Sequence, residues 1–174
     1  MKNHDEKLIA LVDENDRIIG YDDKIKVHEE GKLHRAFSIL IFNNAGELLI
    51  HERAHHKYHS PSLWTNTCCS HLYENASMDE CVHERLQFEM GFDANVDYKF
   101  KFTYKETFGN GLIEHETDHV YMGIWEGIPN PNTQEVAAYK WITWEALKID
   151  MNKHPNNYTY WFKYLMKHFE AQFN

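Results

Sequence analysis

Ser62-Leu63-Trp64-Thr65-Asn66-Thr67-Cys68-Cys69-Ser70-His71 is the stretch on which the reading of this chain turns. It is almost free of charge and sets two adjacent thiols before a histidine two residues past the second. On an extended backbone that spacing projects Cys69 and His71 to the same side, so the two can share one site. Two readings fit these ten residues. One is a reactive thiol beside a metal ligand or base; the other is a small buried hydrophobe beside a histidine satisfied within a loop. A helix follows directly. Ser77-Met78-Asp79-Glu80 is a capping box with Ser77 as N-cap and Glu80 reaching back to it, and Gly91 is placed to end the helix after Met90.

Upstream, residues 8–12 and 17–21 flank Asp13-Glu14-Asn15-Asp16 as an opening hairpin, and the charged residues 22–32 read as a loop. Residues 36–42 form a dense apolar run suited to a buried strand, 43–46 a turn, and 47–53 the returning strand. Residues 54–62 are a histidine-rich loop. Downstream, 99–106 is a strand with alternating Phe100, Phe102 and Tyr104, Gly109-Asn110-Gly111 is a turn, and 112–125 is one long strand or two successive ones. After a loop at 130–132 come a strand over 138–144, a short helical turn over 145–148, and a last helix over 158–172. Phe162, Leu165, Phe169 and Phe173 make the packing face of that helix. Strands outnumber helices, and the main helix lies between strand groups. The expected class is α/β (α+β), a mixed sheet with helices on both faces.

The 174 residues are expected to form one domain, 1–174, that buries roughly two-thirds of its unfolded surface. A formal charge of -9 argues against nucleic acid as a partner, since a phosphate backbone needs a basic face. It leaves room for a small phosphorylated ligand, which needs only a few local cations. Three cysteines, two of them neighbours, make no disulfide framework, so a reducing, cytoplasmic setting is expected. The polar start, Met1 through Lys7, reads as neither signal peptide nor anchor, and no apolar run reaches the length of a membrane span. A monomer is expected. Thirteen histidines raise the prospect of a metal.

Glu114, Glu116 and Asp118 alternate and so face one side of a strand. They are either an exposed polar face or the source of two carboxylates that, with the imidazoles of His28, His34 and His71, make a mixed nitrogen and oxygen set for a six-coordinate divalent ion, with one position left open. Arg85 and Glu89, four apart on the helix, are an ordinary ion pair or the start of a second site. In the second case Glu89 holds magnesium, and Arg53, Lys57 and Arg85 surround a phosphate. Lys24 taken alone is a surface residue. Trp161 is either core packing or an aromatic face for a cation.

Trp64 through His71, Gly31-Lys32-Leu33-His34-Arg35-Ala36-Phe37 and Glu114-His115-Glu116 together closely resemble the type I isopentenyl diphosphate isomerases of the Nudix superfamily, with a match running from about Leu8 to the tail. The resemblance implies a Nudix-type mixed β-sheet sandwiched between α-helices. It implies catalysis by Cys69 and Glu116, with Tyr104 beside the glutamate. It implies a divalent zinc, manganese or magnesium ion on His28, His34, His71, Glu114 and Glu116, and Mg2+ on Glu89 and the Cys69 carbonyl. Lys24, Arg53, Lys57 and Arg85 would contact the diphosphate, and Trp161 would wall the hydrocarbon pocket. The implied reaction interconverts isopentenyl and dimethylallyl diphosphate through a carbocation, for isoprenoid biosynthesis. The glutamate side, with Tyr104, is expected to donate the proton and Cys69 to accept one, with the roles exchanging in the reverse direction. One departure stands out. Where Nudix hydrolases carry Arg-Glu-x-x-Glu-Glu, this chain has Glu84-Arg85-Leu86-Gln87-Phe88-Glu89, which removes two carboxylates and favours isomerisation over hydrolysis. The rival readings are a Nudix hydrolase and a non-catalytic zinc-binding module.

Overall fold

The computed structural model describes residues 7–172. Strands β1 (Leu8–Val12) and β2 (Ile18–Asp23) form the opening hairpin, followed by helix α1 (Lys24–Glu30). Then come β3 (His34–Phe42), β4 (Glu47–Arg53), β5 (Trp64–Thr65), β6 (Cys68–His71) and α2 (Met78–Met90). The chain continues through β7 (Val96–Thr107), β8 (Ile113–Ile124), β9 (Val136–Thr143), α3 (Trp144–Lys153) and α4 (Tyr160–Phe169).

β3 organises the sheet. One edge runs parallel to β8 over its whole length, from His34 opposite Glu116 to Phe42 opposite Ile124. Its other edge is shared along its length by β1 at His34, β6 from Ala36 to Ile39, and β4 at Phe42. The pleat sorts its side chains. Phe37, Ile39 and Ile41 join Val27 of α1 and Cys81, Val82, Leu86 and Met90 of α2 in one core. Leu40 joins Leu147 and Met151 of α3 and Trp161, Phe162, Leu165 and Met166 of α4 in the other. The result is a mixed sheet between two helical layers, as expected.

β3 and β4 pair only at Phe42 and Leu48 and then part. A gap between strands leaves backbone groups that need partners. The residues of the opening stretch fill it. The Thr67 hydroxyl accepts from the Ile41 amide at 2.9 Å and donates to the Leu49 carbonyl at 2.7 Å. The Asn66 amide donates to the carbonyls of Ile39 and Cys68 at 3.1 and 3.0 Å. Thr65, Asn66 and Thr67 are fully buried. This run is therefore the seam that lets the sheet open into a cavity.

Three expectations need correction. Residues 22–32 are not a loop. Asp23 caps α1 by accepting from the Lys26 amide, and Val27 and His28 turn inward while the charged residues stay in solvent. The helical turn after β9 is a ten-residue helix, because Leu147 and Met151, four apart, anchor it past the charged residues that end its sequence signal. The last helix starts at Tyr160, since Tyr158 and Thr159 are extended and bound to Trp64. Of its expected packing face, Phe162 and Leu165 are buried. The Phe169 side chain, Phe173 and the polar start up to Glu6 lie outside the described residues. Among the described residues no helix is long and apolar enough to cross a membrane.

Candidate active site and metal centre

The parting of the strands leaves a cavity of about 100 Å³. Its lining includes Cys69, His71, Glu114, Glu116, Asp118 and Trp161, with Lys24, Arg53, Lys57, Arg85 and Glu89. Residues from eight separate elements and the loop after β4 meet there.

Cys69 and His71 do share a face of β6, with Cys68 turned into the opposite core. The Cys69 thiol donates to the Asn66 side-chain oxygen at 3.0 Å and lies 3.8 Å from the Ser38 hydroxyl. Burial, with the Asp118 and Glu89 carboxylates adding to it, pushes the thiol up to about 12. It rests protonated. The Ser38 hydroxyl also donates to Asp118 at 2.7 Å. Burial and the neighbouring Glu116 and Glu114 hold the Asp118 carboxyl well above the usual range.

Glu114, Glu116 and Asp118 are not an exposed face; all three are buried. The Tyr104 hydroxyl donates to Glu114 at 2.5 Å and to Glu116 at 2.8 Å, bridging the two carboxylates. Both His34 and His71 aim Nε2 at one Glu116 oxygen at 3.2 Å. Against its burial, those imidazoles hold the Glu116 carboxyl well below its ordinary value. Burial depresses His71 to about 3.

The donor set fits a divalent cation. The His28 and His34 Nδ1–H groups donate to the Lys24 and Lys32 carbonyls at 2.6 and 2.8 Å, so each Nε2 faces inward, and the proton that His34 Nε2 shares with Glu116 is the one a cation would replace, exposing the lone pair. The His28 Nε2 is buried and has no hydrogen-bond partner. Lone pairs and carboxylates gathered in one buried place repel each other unless positive charge stands between them. His28, His34, His71 and Glu116 bring their ligand atoms within 4.8 Å of one another. Glu114 forms a second group with His28 and His59 that shares His28 with the first, and lies 3.7 Å from the His28 Nε2.

The same cavity is also lined by cations. Arg85 on α2 lies 2.5 Å from Glu89 and 3.7 Å from Glu135. The carboxylate of Glu89 stays below its usual range because Arg85, then His51 and Lys57, outweigh its burial. Lys57 pairs with Glu135. Arg53 donates to the Ser60 and His59 carbonyls, both at 3.2 Å, and its guanidinium lies 5.3 Å from the Trp161 ring centre. Lys24 stands at the rim, 5.2 Å from the Tyr58 ring centre.

Every site residue expected from the sequence lines this cavity, apart from His28 and His34, which join His71 and Glu116 in the candidate metal group, and Tyr104, which bridges the two glutamates. His59, Ser38, His51 and Glu135 also line the cavity, and Asn66 accepts from the Cys69 thiol; none of the five is marked as a site residue by the sequence. His59 lies 3.3 Å from Glu114 and stacks on Phe108, and the clustering of histidines in its loop was its one visible signal. Glu135 has no local signal at all.

A NUDIX domain profile matches residues 32–162. In overall shape the chain is similar to a Deinococcus radiodurans protein, with a TM-score of 0.77 at 15% identity over 94% of this chain and 99% of that one. It is also similar to a MutT protein from Methanosarcina mazei, with a TM-score of 0.66 at 16% identity over 80% and 94%. At such identities the likeness concerns the fold. In sequence, isopentenyl-diphosphate Delta-isomerase 1 of Aromatoleum aromaticum is 44% identical over 90% of this chain and 88% of its own length. Isopentenyl-diphosphate Delta-isomerase of Serratia proteamaculans is 43% identical over 93% and 90%. A protein with this cavity, this NUDIX match and these near full-length relatives belongs to the isopentenyl-diphosphate Delta-isomerase family.

Proposed function

We propose that this protein is an isopentenyl-diphosphate Delta-isomerase, acting as one domain to interconvert isopentenyl and dimethylallyl diphosphate. The observation that carries the reading is that Cys69 and Glu116, on strands flanking β3 on either side, line one cavity whose lining also holds Arg53, Lys57 and Arg85. Moving the double bond requires a proton added at the terminal C4 and another removed from C2, the carbon next to the one that bears the diphosphate ester. The intermediate is a tertiary carbocation that any nearby water would capture, so the reaction needs an enclosed site. Arg53, Lys57, Arg85 and, at the rim, Lys24 would grip the diphosphate. The hydrocarbon would then lie between Cys69 and Glu116, with Trp161 as wall. An aromatic face toward a desolvated cation is worth about 2 kcal/mol.

Cys69 holds its proton, Glu116 does not, and burial beside both glutamates keeps the Tyr104 phenol well above its usual range. In the metal-free site this charge state makes the thiol the donor and Glu116 the acceptor, opposite to the order expected from the sequence. Tyr104 fixes both carboxylates and keeps a proton at their side for the reverse direction. His28, His34, His71, Glu114 and Glu116 would hold one divalent ion (Mn2+, Zn2+ or Mg2+), and Glu89 with the Cys69 carbonyl would hold Mg2+. When bound, these cations supply positive charge that keeps Glu116 ionised and offsets the diphosphate. Hydrolysis fits less well, because Arg85 and Phe88 stand where that chemistry takes carboxylates from the helix. The acidic net charge supports a small-molecule substrate and not nucleic acid. A cytoplasmic monomer completes the reading.

The test is a proton NMR time course of isopentenyl diphosphate with protein and magnesium. Allylic methyl signals should appear with no phosphate released. Replacing Cys69 with Ala should abolish turnover, by more than about 1,000-fold, and leave pyrophosphate binding nearly intact. Persistent turnover in that variant would remove Cys69 from the reaction.

A further inference from the structure

Glu135 is a carboxylate in the cavity lining that the reaction just described does not use. Its backbone is pinned. The Glu135 carbonyl accepts from the Ala54 amide at 3.0 Å, and its own amide donates to the Asn132 carbonyl at 2.9 Å. It is therefore held against the loop after β4 that carries Lys57. Its side chain is paired with Lys57 and lies 3.7 Å from Arg85, with 17% of its surface exposed. Arg85 is already bonded to Glu89 at 2.5 Å, yet its Nε is buried and donates to nothing. That orphaned donor marks a place prepared for an anion.

The charge inventory decides what kind of anion can enter. Lys24, Arg53, Lys57 and Arg85 face the cavity, but Glu89 and Glu135 are paired with Arg85 and Lys57 and offset two of these four charges. A bare diphosphate would bring several negative charges beside the buried Glu89 and the partly buried Glu135, and like charges brought together away from solvent repel each other. The same group entering with a divalent cation brings its own compensation.

We propose that Glu135 makes diphosphate binding conditional on magnesium, by holding the charge of this subsite too low to accept the anion alone. The proposal rests on the reading of this part of the cavity as the diphosphate site. Glu135 thereby selects the magnesium complex of the substrate, which is the form in which the diphosphate reaches the hydrocarbon pocket already neutralised.

The experiment is calorimetric titration of inorganic pyrophosphate into the full chain, dialysed free of magnesium and again with magnesium present. The wild type should bind pyrophosphate well only with magnesium. Glu135→Gln keeps the shape and removes the charge. It should bind magnesium-free pyrophosphate about tenfold or more tighter than wild type, with a correspondingly smaller gain on adding magnesium. Glu135→Asp retains the charge and should keep the wild-type dependence. Unchanged magnesium-free affinity in the folded Gln variant would overturn the proposal. So would a wild type whose pyrophosphate affinity ignores magnesium, a result that needs no variant to fold. A wild type that binds no pyrophosphate even with magnesium would bring down the diphosphate reading itself, and this inference with it.

Discussion

His51 shows at the residue scale how this cavity stores sensitivity to acid. Its Nδ1–H donates to the Thr67 carbonyl at 3.0 Å, and its ring is buried beside the cavity. Burial lowers its pKa to about 4, outweighing the pull of Glu89. His59 and His71 shift in the same direction and for the same first reason. Because the folded pKa lies below the unfolded one, the unfolded chain binds a proton in the intervening range that the folded chain refuses. Stability is therefore fully present above the unfolded value of about 6.5 and is lost as pH falls from there toward 4. The slope approaches about 1.4 kcal/mol per pH unit for each such imidazole. Urea unfolding of metal-free protein should show its midpoint dropping between pH 7 and 5. Replacing His51 with Gln, whose amide can still donate to Thr67, should flatten that drop. A midpoint unchanged over this range would mean the imidazoles titrate normally.

Among the elements, α2 brings Arg85 and Glu89 to the cavity, so its ends determine how firmly they are held. At the start both halves of the capping box are made. The Ser77 hydroxyl accepts from the Glu80 amide at 3.2 Å, and the Ser77 amide donates to the Glu80 carboxylate at 2.7 Å. At the far end Gly91 has φ of 76°, and a Cβ there would stand 2.1 Å from the Asn130 carbonyl oxygen. Ser77→Ala should cost about 1 kcal/mol in urea unfolding with turnover unchanged, since Ser77 does not line the cavity. Gly91→Ala should cost clearly more, because the backbone must shift as well as adopt a strained angle. Equal costs would mean that the Gly91 turn relaxes freely. The same scale explains the helix that the sequence concealed. α1 is two turns long and mostly charged, and only the inward pair Val27 and His28 reveals that it packs.

For the molecule as a whole, the metal group is a junction. His28 comes from α1, His34 from β3, His71 from β6 and Glu116 from β8, so one ion would tie together four elements far apart in the chain. A ligand bound only by the folded state stabilises it by mass action, by about 2.7 kcal/mol at a hundred times its dissociation constant. For a protein of this size that corresponds to a melting shift of about 5–10 °C. Exhaustive chelation should lower the calorimetric midpoint by that order, and Mn2+ or Zn2+ should restore it. His34→Ala protein should melt low and respond to neither treatment. A wild-type midpoint indifferent to chelators would mean that the cluster is held by protons alone.

The chain's own order of residues was enough for the pleat and the helical repeat. These placed Cys69 with His71, grouped Glu114, Glu116 and Asp118 on one face, and delimited α2 at Ser77 and Gly91. Such patterns are local consequences of backbone geometry and need no knowledge of what packs against them. The convergence of His28, His34 and His71 on Glu116 was one of two open readings of the residues and was chosen by likeness, but it exists only because β3 pairs with β6 on one edge and β8 on the other. His59 and Glu135 were invisible until their loops folded back, since a lone histidine or glutamate in a loop looks the same whether it faces water or a buried charge. Tertiary structure alone decided which charges are buried together, because burial is a property of the enclosing surface and not of the neighbouring residues in the chain.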